Sequence, residues 1–252
     1  MSKDLGFTLV SAHFGDLFWI EHLAAQVVSE PAIERVIFID QDRSADTAQR
    51  LGTLPVRPEV VSFQKDAEQI DLTGHDHPAS LDKCLKLNFT TSHVILLDSD
   101  CFPVASNWLD RVRLALVDHD AIVARDPKKF GLSHPCFMVL PTFALSRLNF
   151  SEGLVEAGID TGRLVGLQLR KLGHRVYWDA PSRAFRGKRG DFYLDGALYH
   201  HGSASFASSE DAKLTSQVNR RIEQFFRSKV ARNDFSFNLL DHLQIWRHRH
   251  KI

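Results

Sequence analysis

One stretch constrains this chain more than any other: residues 93–103, HVILLDSDCFP, where the apolar Val94, Ile95, Leu96 and Leu97 run into two aspartates spaced one apart, Asp98 and Asp100. A short run that is apolar at successive positions fits a strand buried on both faces, as in a parallel sheet covered by helices. In open α/β sheets ligands gather beyond the carboxyl ends of such strands, so acids placed there face a site. Two carboxylates in that place suit a hard divalent ion, Mg²⁺ or Mn²⁺, and such an ion suits a phosphate. The same acids also suit a solvated turn or the cap of a following helix. The stretch by itself leaves both readings open.

The charge balance narrows the partners. Lys plus Arg and Asp plus Glu each number 31, so no net field favours nucleic acid. The three cysteines, Cys84, Cys101 and Cys136, are scattered and form no CxxC pair, which argues against a disulfide framework and a zinc knuckle and for a reducing, cytoplasmic setting. The apolar part of the N-terminus is too short and interrupted for a signal peptide, and no stretch approaches the ~18 apolar residues of a membrane span.

Along the chain, strands are expected at residues 7–11, 35–39, 56–63, 121–124, 136–140 and 175–178, besides the run ending at Asp98. Helices are expected at 17–28, from Ser44 or Asp46 through Leu51, at 78–90, at 107–118 behind a Ser106 or Asn107 cap, and at 160–172 before a C-terminal Gly173. This alternation describes a doubly wound α/β sheet with the third strand, flanked by Pro55 and Pro58, near its edge. From about Ser208 one long helix is expected, with Leu214, Val218, Ile222, Phe225 and Phe226 on a face.

Four segments in order, FTLVSAHFGD (7–16), VIFIDQDRSADT (36–47), HPASLDKCLKL (77–87) and LLDSD (96–100), resemble the nucleotide-binding half of GT-A glycosyltransferases, most closely those of family 2, with LLDSD as the DXD motif. Two later segments continue the resemblance: DTGRLVGLQLRKLGHRVYW (160–178) looks like the family's acidic helix and following strand, and YHHGSAS (199–205) like its late histidine motif. The resemblance implies a GT-A fold, Rossmann-like with a mostly parallel sheet, over residues 1–205, and a C-terminal helical extension over 206–252. It further implies metal-dependent, inverting transfer of a sugar from a nucleoside diphosphate sugar to a saccharide or lipid-linked glycan. A processive Gln-x-x-Arg-Trp motif is not matched by QIWRHR (244–249), so single-sugar transfer is expected.

On that reading, departure of a diphosphate needs a cation where its charge grows, and Mn²⁺ or Mg²⁺ would be held by Asp98 and Asp100 with His200 or His201 completing the set. Asp40, with Ser11 and His13, would line the base pocket and accept from the uracil imide, which favours a UDP-sugar, or would cap the next helix with Ser44; Gln41 stands where the family shows Asn, and the further acid Asp42 is the alternative acid toward the base. Asp160 would be the general base, with Ile159 in place of the family's neighbouring acid, or alternatively the N-cap of its helix. Arg183, Arg186, Lys188 and Arg189 could close over the diphosphate, Lys188 contacting the donor, or form a solvated loop. His134, by its place in the order, would face the donor sugar or acceptor. The basic residues 246–251 would contact the inner face of a membrane or remain a polar tail.

Three rival readings differ in class. A haloacid dehalogenase-type phosphatase would use Asp98 as nucleophile, but its motif continues with Thr or Val where this chain has Phe102. A nucleotidyltransferase would want a glycine-rich first loop with Arg and Lys, which SAHFGDLFW lacks. A non-catalytic nucleotide-sugar binding module is supported by the single acid at Asp160.

Overall fold

The first strand, β1 (Phe7–His13), is buried at every position, as a strand covered on both faces must be. The structure is a computed structural model that describes residues 5–15, 17–41, 45–63, 77–126, 131–152, 161–184, 190–202 and 216–235. The chain divides into two compact units, Met1–Gly202 and Ser203–Ile252.

Among the described residues of the first unit, β1 is one of seven strands in a sheet of order β3-β2-β1-β4-β7-β6-β8. The others are β2 (Ile33–Asp40), β3 (Glu59–Ser62), β4 (His93–Asp98), β6 (Ala121–Arg125), β7 (Ser133–Pro141) and β8 (Val176–Asp179). β1 pairs in parallel with β2 and β4, β2 with β3, and β6 with β8; β7 runs antiparallel to both neighbours, β4 and β6. β3 lies at the edge, where the nearby prolines cost no ladder bond. The mostly parallel α/β sheet is as expected. The reversed β7 makes it mixed.

Helices α1 (Leu17–Val27), α2 (Ala45–Gly52), α3 (His77–Cys84), α4 (Trp108–Asp118) and α5 (Val165–Lys171) flank it. One core cluster joins Val10, Val94 and Met138 of the sheet to Leu81 of α3 and to Val165 and Leu169 of α5. α3 stops well short of residue 90 because Leu85, Leu87 and Phe89 reach that core at every second position, a period a helix cannot hold. α5 starts later than residue 160 because Gly162 sits at φ +66, which breaks helical propagation. Its far end is as expected: Gly173, at φ +88, donates to Arg170 O while His174 N–H reaches Leu169 O, the paired bonds of a Schellman cap. Asn107 precedes α4 but its side chain makes no capping bond, since its backbone (φ −99, ψ 20) is not in the extended conformation a capping side chain needs.

A second, antiparallel sheet was not expected. Its order is β5-β11-β10-β9, built from β5 (Cys101–Pro103), β9 (Arg183–Ala184), β10 (Asp191–Tyr193) and β11 (Leu198–His200). α1 packs against β1 and β5 and so bridges the two sheets. In the second unit, α6 (Ser216–Ala231) buries Phe226 and Val230, and Lys229 Nζ lies 3.1 Å from Asp234 Oδ2. No helix among the described residues is long and apolar enough to cross a membrane.

The close approach of α5 to β8 depends on Gly166, where a Cβ would stand 2.5 Å from the Trp178 ring. Gly166→Ala therefore should cost about 1–3 kcal/mol through overpacking, read as a lower urea midpoint at unchanged slope. An unchanged midpoint would mean that the indole yields freely.

Candidate metal and nucleotide site

Strand order reverses between β1 and β4, because β1 is followed by β2 and β3 on one side while β4 lies on the other. Ligands of open α/β sheets bind at such a switch point. At that carboxyl edge the register sets Ala12 beside Asp98, and His13 beside Asp40. Antiparallel β7 brings its N-terminal residues, Ser133 to Cys136, to the same edge, since its last pair with β4 is Phe137 with Leu97. A register shift between Val123 and Ala124 of β6 accompanies this stretch, which contains Pro135, a residue without an N–H for the ladder.

After Asp98 the chain turns through Ser99 and Asp100 directly into β5, and β5 pairs with β11 so that His200 lies opposite Cys101. His201 N–H donates to Asp100 O at 2.9 Å and locks the turn to the end of β11. The result is local convergence: His200 Nε2 is 3.5 Å from Asp100 Oδ1 and 3.9 Å from Asp98 Oδ2. Donor atoms of Asp98, Asp100 and His200 all lie within 4.8 Å of one another. His77, at the start of α3, approaches Asp98 Oδ1 with Nε2 at 3.7 Å. Asp100 and His200 are each 6 % exposed, so their charges meet with little water between them.

Burial works to lower the pKa of the His200 imidazole, but neighbouring Cys136 and the carboxylates of Asp100 and Asp98 overcome it and raise the ring to about 10. The two acids are thus arranged around a positive charge. A divalent ion would supply the same charge with one imidazole and two carboxylate ligands, a donor set suited to Mn²⁺ or Mg²⁺.

β11 is delivered by a tight hairpin whose turn residues Leu194, Asp195 and Gly196 have φ of 47, 53 and 88. Leu and Asp in the left-handed region need outside support. Asp179 Oδ2 accepts from Leu194 N–H at 2.6 Å, and Arg111 Nη1 donates to the carbonyls of Leu194 and Asp195 at 2.8 and 2.7 Å.

Other anticipated residues lie elsewhere. His201 turns away from the carboxylates: its ring stacks on Trp19 at 4.3 Å between centroids, and Nδ1 is 3.0 Å from Tyr199 Oη. Of the two candidate histidines, the fold brings His200 to the acids, because successive strand residues face opposite ways. Ser11, His13 and Asp40 are all fully buried. Val10 and Ala12 belong to the core on one face of the sheet, so Ser11, His13 and the paired Asp40 project from the other, whereas Asp98 shares the face of Ala12. The carboxyl edge therefore holds the two sets on opposite sides. Ser11 Oγ has no hydrogen-bond partner among the described residues. Asp160, Lys188, Arg186, Arg189 and residues 246–251 lie outside the described residues, and so does Asp42.

Two neighbours were not anticipated at the carboxylates. His77 stands in a segment matched for its order alone. Cys136 lies with His134 and His200 in a second group of donor atoms within 4.8 Å of one another. Burial above all pushes the Cys136 thiol up to about 12. The expectation from spacing that the cysteines are scattered fails in space for two of them: the thiols of Cys101 and Cys136 meet, although all three cysteines are free. Nothing in a one-dimensional spacing rule could register a contact made across β5 and β7.

No family model and no curated protein sequence matches the chain. Solved structures do match. Glucosyl-3-phosphoglycerate synthase from Mycobacterium tuberculosis, solved with Mn²⁺, UDP and glucosyl-3-phosphoglycerate, aligns at 13% identity and TM-score 0.50 over 70% of this chain and 70% of its own. A putative nucleotide-diphospho-sugar transferase from Desulfovibrio desulfuricans G20 aligns at 10% identity and TM-score 0.47 over 69% of this chain and 79% of its own. 4-Diphosphocytidyl-2C-methyl-D-erythritol synthase from Anaerococcus prevotii aligns at 10% identity and TM-score 0.49 over 71% and 90%. The fold of this chain is the GT-A type.

The hairpin support has a pH signature. Burial raises the Asp179 carboxyl to about 6, with Leu194 N–H working against the rise and Asp195 adding to it. An unfolded Asp titrates near ~3.9, so the folded state holds the extra proton between these values. The group's contribution to stability is therefore fully present below about pH 4 and lost as pH rises through about 6. Asp179→Asn, which still offers an oxygen to Leu194, should gain on the wild type by on the order of 2–3 kcal/mol between about pH 4 and pH 7 in urea unfolding. Parallel stability curves would show that Asp179 titrates like a solvated acid.

Proposed function

We propose that this chain is a metal-dependent, inverting, non-processive glycosyltransferase that moves a sugar from a nucleoside diphosphate sugar, UDP-sugar favoured, to a saccharide or lipid-linked glycan. The observation that carries this reading is the convergence of Asp98, Asp100 and His200 at the switch point of a GT-A fold. A compatible precedent is that one protein sharing the fold was solved with Mn²⁺ and UDP.

In this reading Asp100 and His200 would hold the ion directly, and Asp98 beside them would meet the ribose or the ion through water. Bound there, a divalent ion supplies positive charge to the departing diphosphate. The protein's own contribution is preorganisation. The β5–β11 ladder fixes the distance between His200 and the acids before any ligand arrives, so little reorganisation is left for the transition state. His77 flanks the more exposed acid and restrains its carboxylate. Asp160 takes the proton of the acceptor hydroxyl on the face opposite the diphosphate, and Lys188 with its basic neighbours closes over the donor. In this reading Ser11, His13 and Asp40, at the same carboxyl edge, line the base pocket, and Asp40 accepts from the uracil imide, the contact that favours a UDP-sugar.

A thermal-shift panel of UDP-, GDP- and dTDP-sugars with and without Mn²⁺ tests it, with the largest Mn²⁺-dependent shift expected for a UDP-sugar. Asp100→Ala should abolish that dependence and lower turnover by ~10²-fold or more, as loss of one transition-state stabiliser does. If Asp100→Ala turns over normally, the metal reading is wrong. Asp160→Asn should keep the donor shift and lose transfer. Donor binding by the wild type without any transfer would instead identify a binding module.

A further inference from the structure

The group His134, Cys136 and His200 adjoins the carboxylates but differs from them in chemistry. One ring nitrogen of each histidine and Cys136 Sγ lie within 4.8 Å of one another, and Cys136 and His200 are buried. The rings of His134 and His200 stand 5.1 Å apart between centroids. Cys136 N–H points at His134 Nδ1 from 3.3 Å, a long bond that orients the ring. The Cys101 thiol sits within hydrogen-bond reach of the Cys136 sulfur, so this pocket holds a second soft atom as well. Two imidazoles and a thiolate are a poor home for Mg²⁺ or Mn²⁺ and a good one for Zn²⁺ or Co²⁺.

We propose that His134, Cys136 and His200 form a second cation site, which takes a soft divalent ion of the Zn²⁺ type and antagonises binding of a hard ion at Asp98 and Asp100. Three protein ligands with an open fourth position are a familiar zinc arrangement. Ligand atoms around a tetrahedral Zn²⁺ stand roughly 3.3–3.8 Å apart, so the three side chains need to close by at most about 1–1.5 Å. On binding, the S–H bond of Cys136 breaks, its proton leaves to solvent and a sulfur–metal bond forms; no electron is transferred. Antagonism follows from the shared residue. Either both ions need the same lone pair of His200, or two dications flank one imidazole ring and repel each other at close range.

The inference shares His200 with the proposed donor site, but its test needs no nucleotide. Full-length protein is titrated with Co²⁺ alone, and the thiolate-to-Co²⁺ charge-transfer band is recorded; Zn²⁺ affinity is then measured by competition. The band is expected in the wild type and absent in Cys136→Ser. Zn²⁺ affinity should fall in Cys136→Ser by at least the ~10–100-fold that loss of even an outer-shell partner costs. One equivalent of Zn²⁺ should weaken Mn²⁺ binding to the wild type, followed by electron paramagnetic resonance, and should do so less in Cys136→Ser, where Zn²⁺ competes only at Asp98, Asp100 and His200. Because Cys136 is a core residue, half-buried His134→Gln provides a second variant, in which the Co²⁺ band should shift and Zn²⁺ affinity fall. No band in the wild type, a band that survives Cys136→Ser, or Mn²⁺ binding indifferent to Zn²⁺ overturns the proposal. Loss of Mn²⁺-dependent nucleotide binding with the band intact would overturn the sugar-transfer reading alone.

Discussion

The β5–β11 ladder is the interaction on which the site depends. A chain that ends a buried strand in two aspartates has placed two negative charges at a sheet edge and has nothing nearby in sequence to compensate them. Here the turn at Ser99 and Asp100 feeds at once into β5, and at its first residue pair, Cys101 with His200, the ladder carries in a histidine about a hundred positions downstream. The His201 N–H to Asp100 O bond closes the junction. Ladder geometry is rigid at the scale of one residue, and a slip by one would exchange His200 for its neighbour. The hairpin behind β11 is held in its left-handed turn by Asp179 and Arg111, so the placement of His200 reaches back to the ends of β8 and α4.

Electrostatics give the pocket a divided character. His200 belongs to two groups, one with two carboxylates and one with a buried thiol and a second imidazole. The imidazole is where the two chemistries meet, since it is an acceptable ligand for both hard and soft ions. This juxtaposition arises because β7 is antiparallel. Had it run parallel to β4, its N-terminal residues His134 and Cys136 would lie at the opposite edge of the sheet.

Much of the fold was legible because buried parallel strands and amphipathic helices write distinct periods into the chain. The apolar runs at β1, β2 and β4 could be little else, and Gly173 ended α5 as a left-handed cap must. Short strands were less legible: β5, β10 and β11 have three residues each, too few to establish an alternation. The direction of β7 was invisible for a different reason, because strand sense depends on connections and neighbours and leaves composition unchanged. α3 was overestimated where a helical pattern passed into an alternating one without a breaker. Asn107 fits a capping preference, but its backbone adopts another conformation.

What the sequence determined by itself was the α/β class, the central strand ending in Asp98 and the presence of a late histidine pair, because these depend on local period and residue chemistry. Which histidine reaches the acids, that Ser11, His13 and Asp40 lie across the sheet from Asp98, and that Cys136 and Cys101 meet beneath the site were decided only by tertiary structure. Each of these depends on strand register, on strand direction or on which face a residue occupies in the assembled sheet. Such relations exist between segments, and no segment carries them alone.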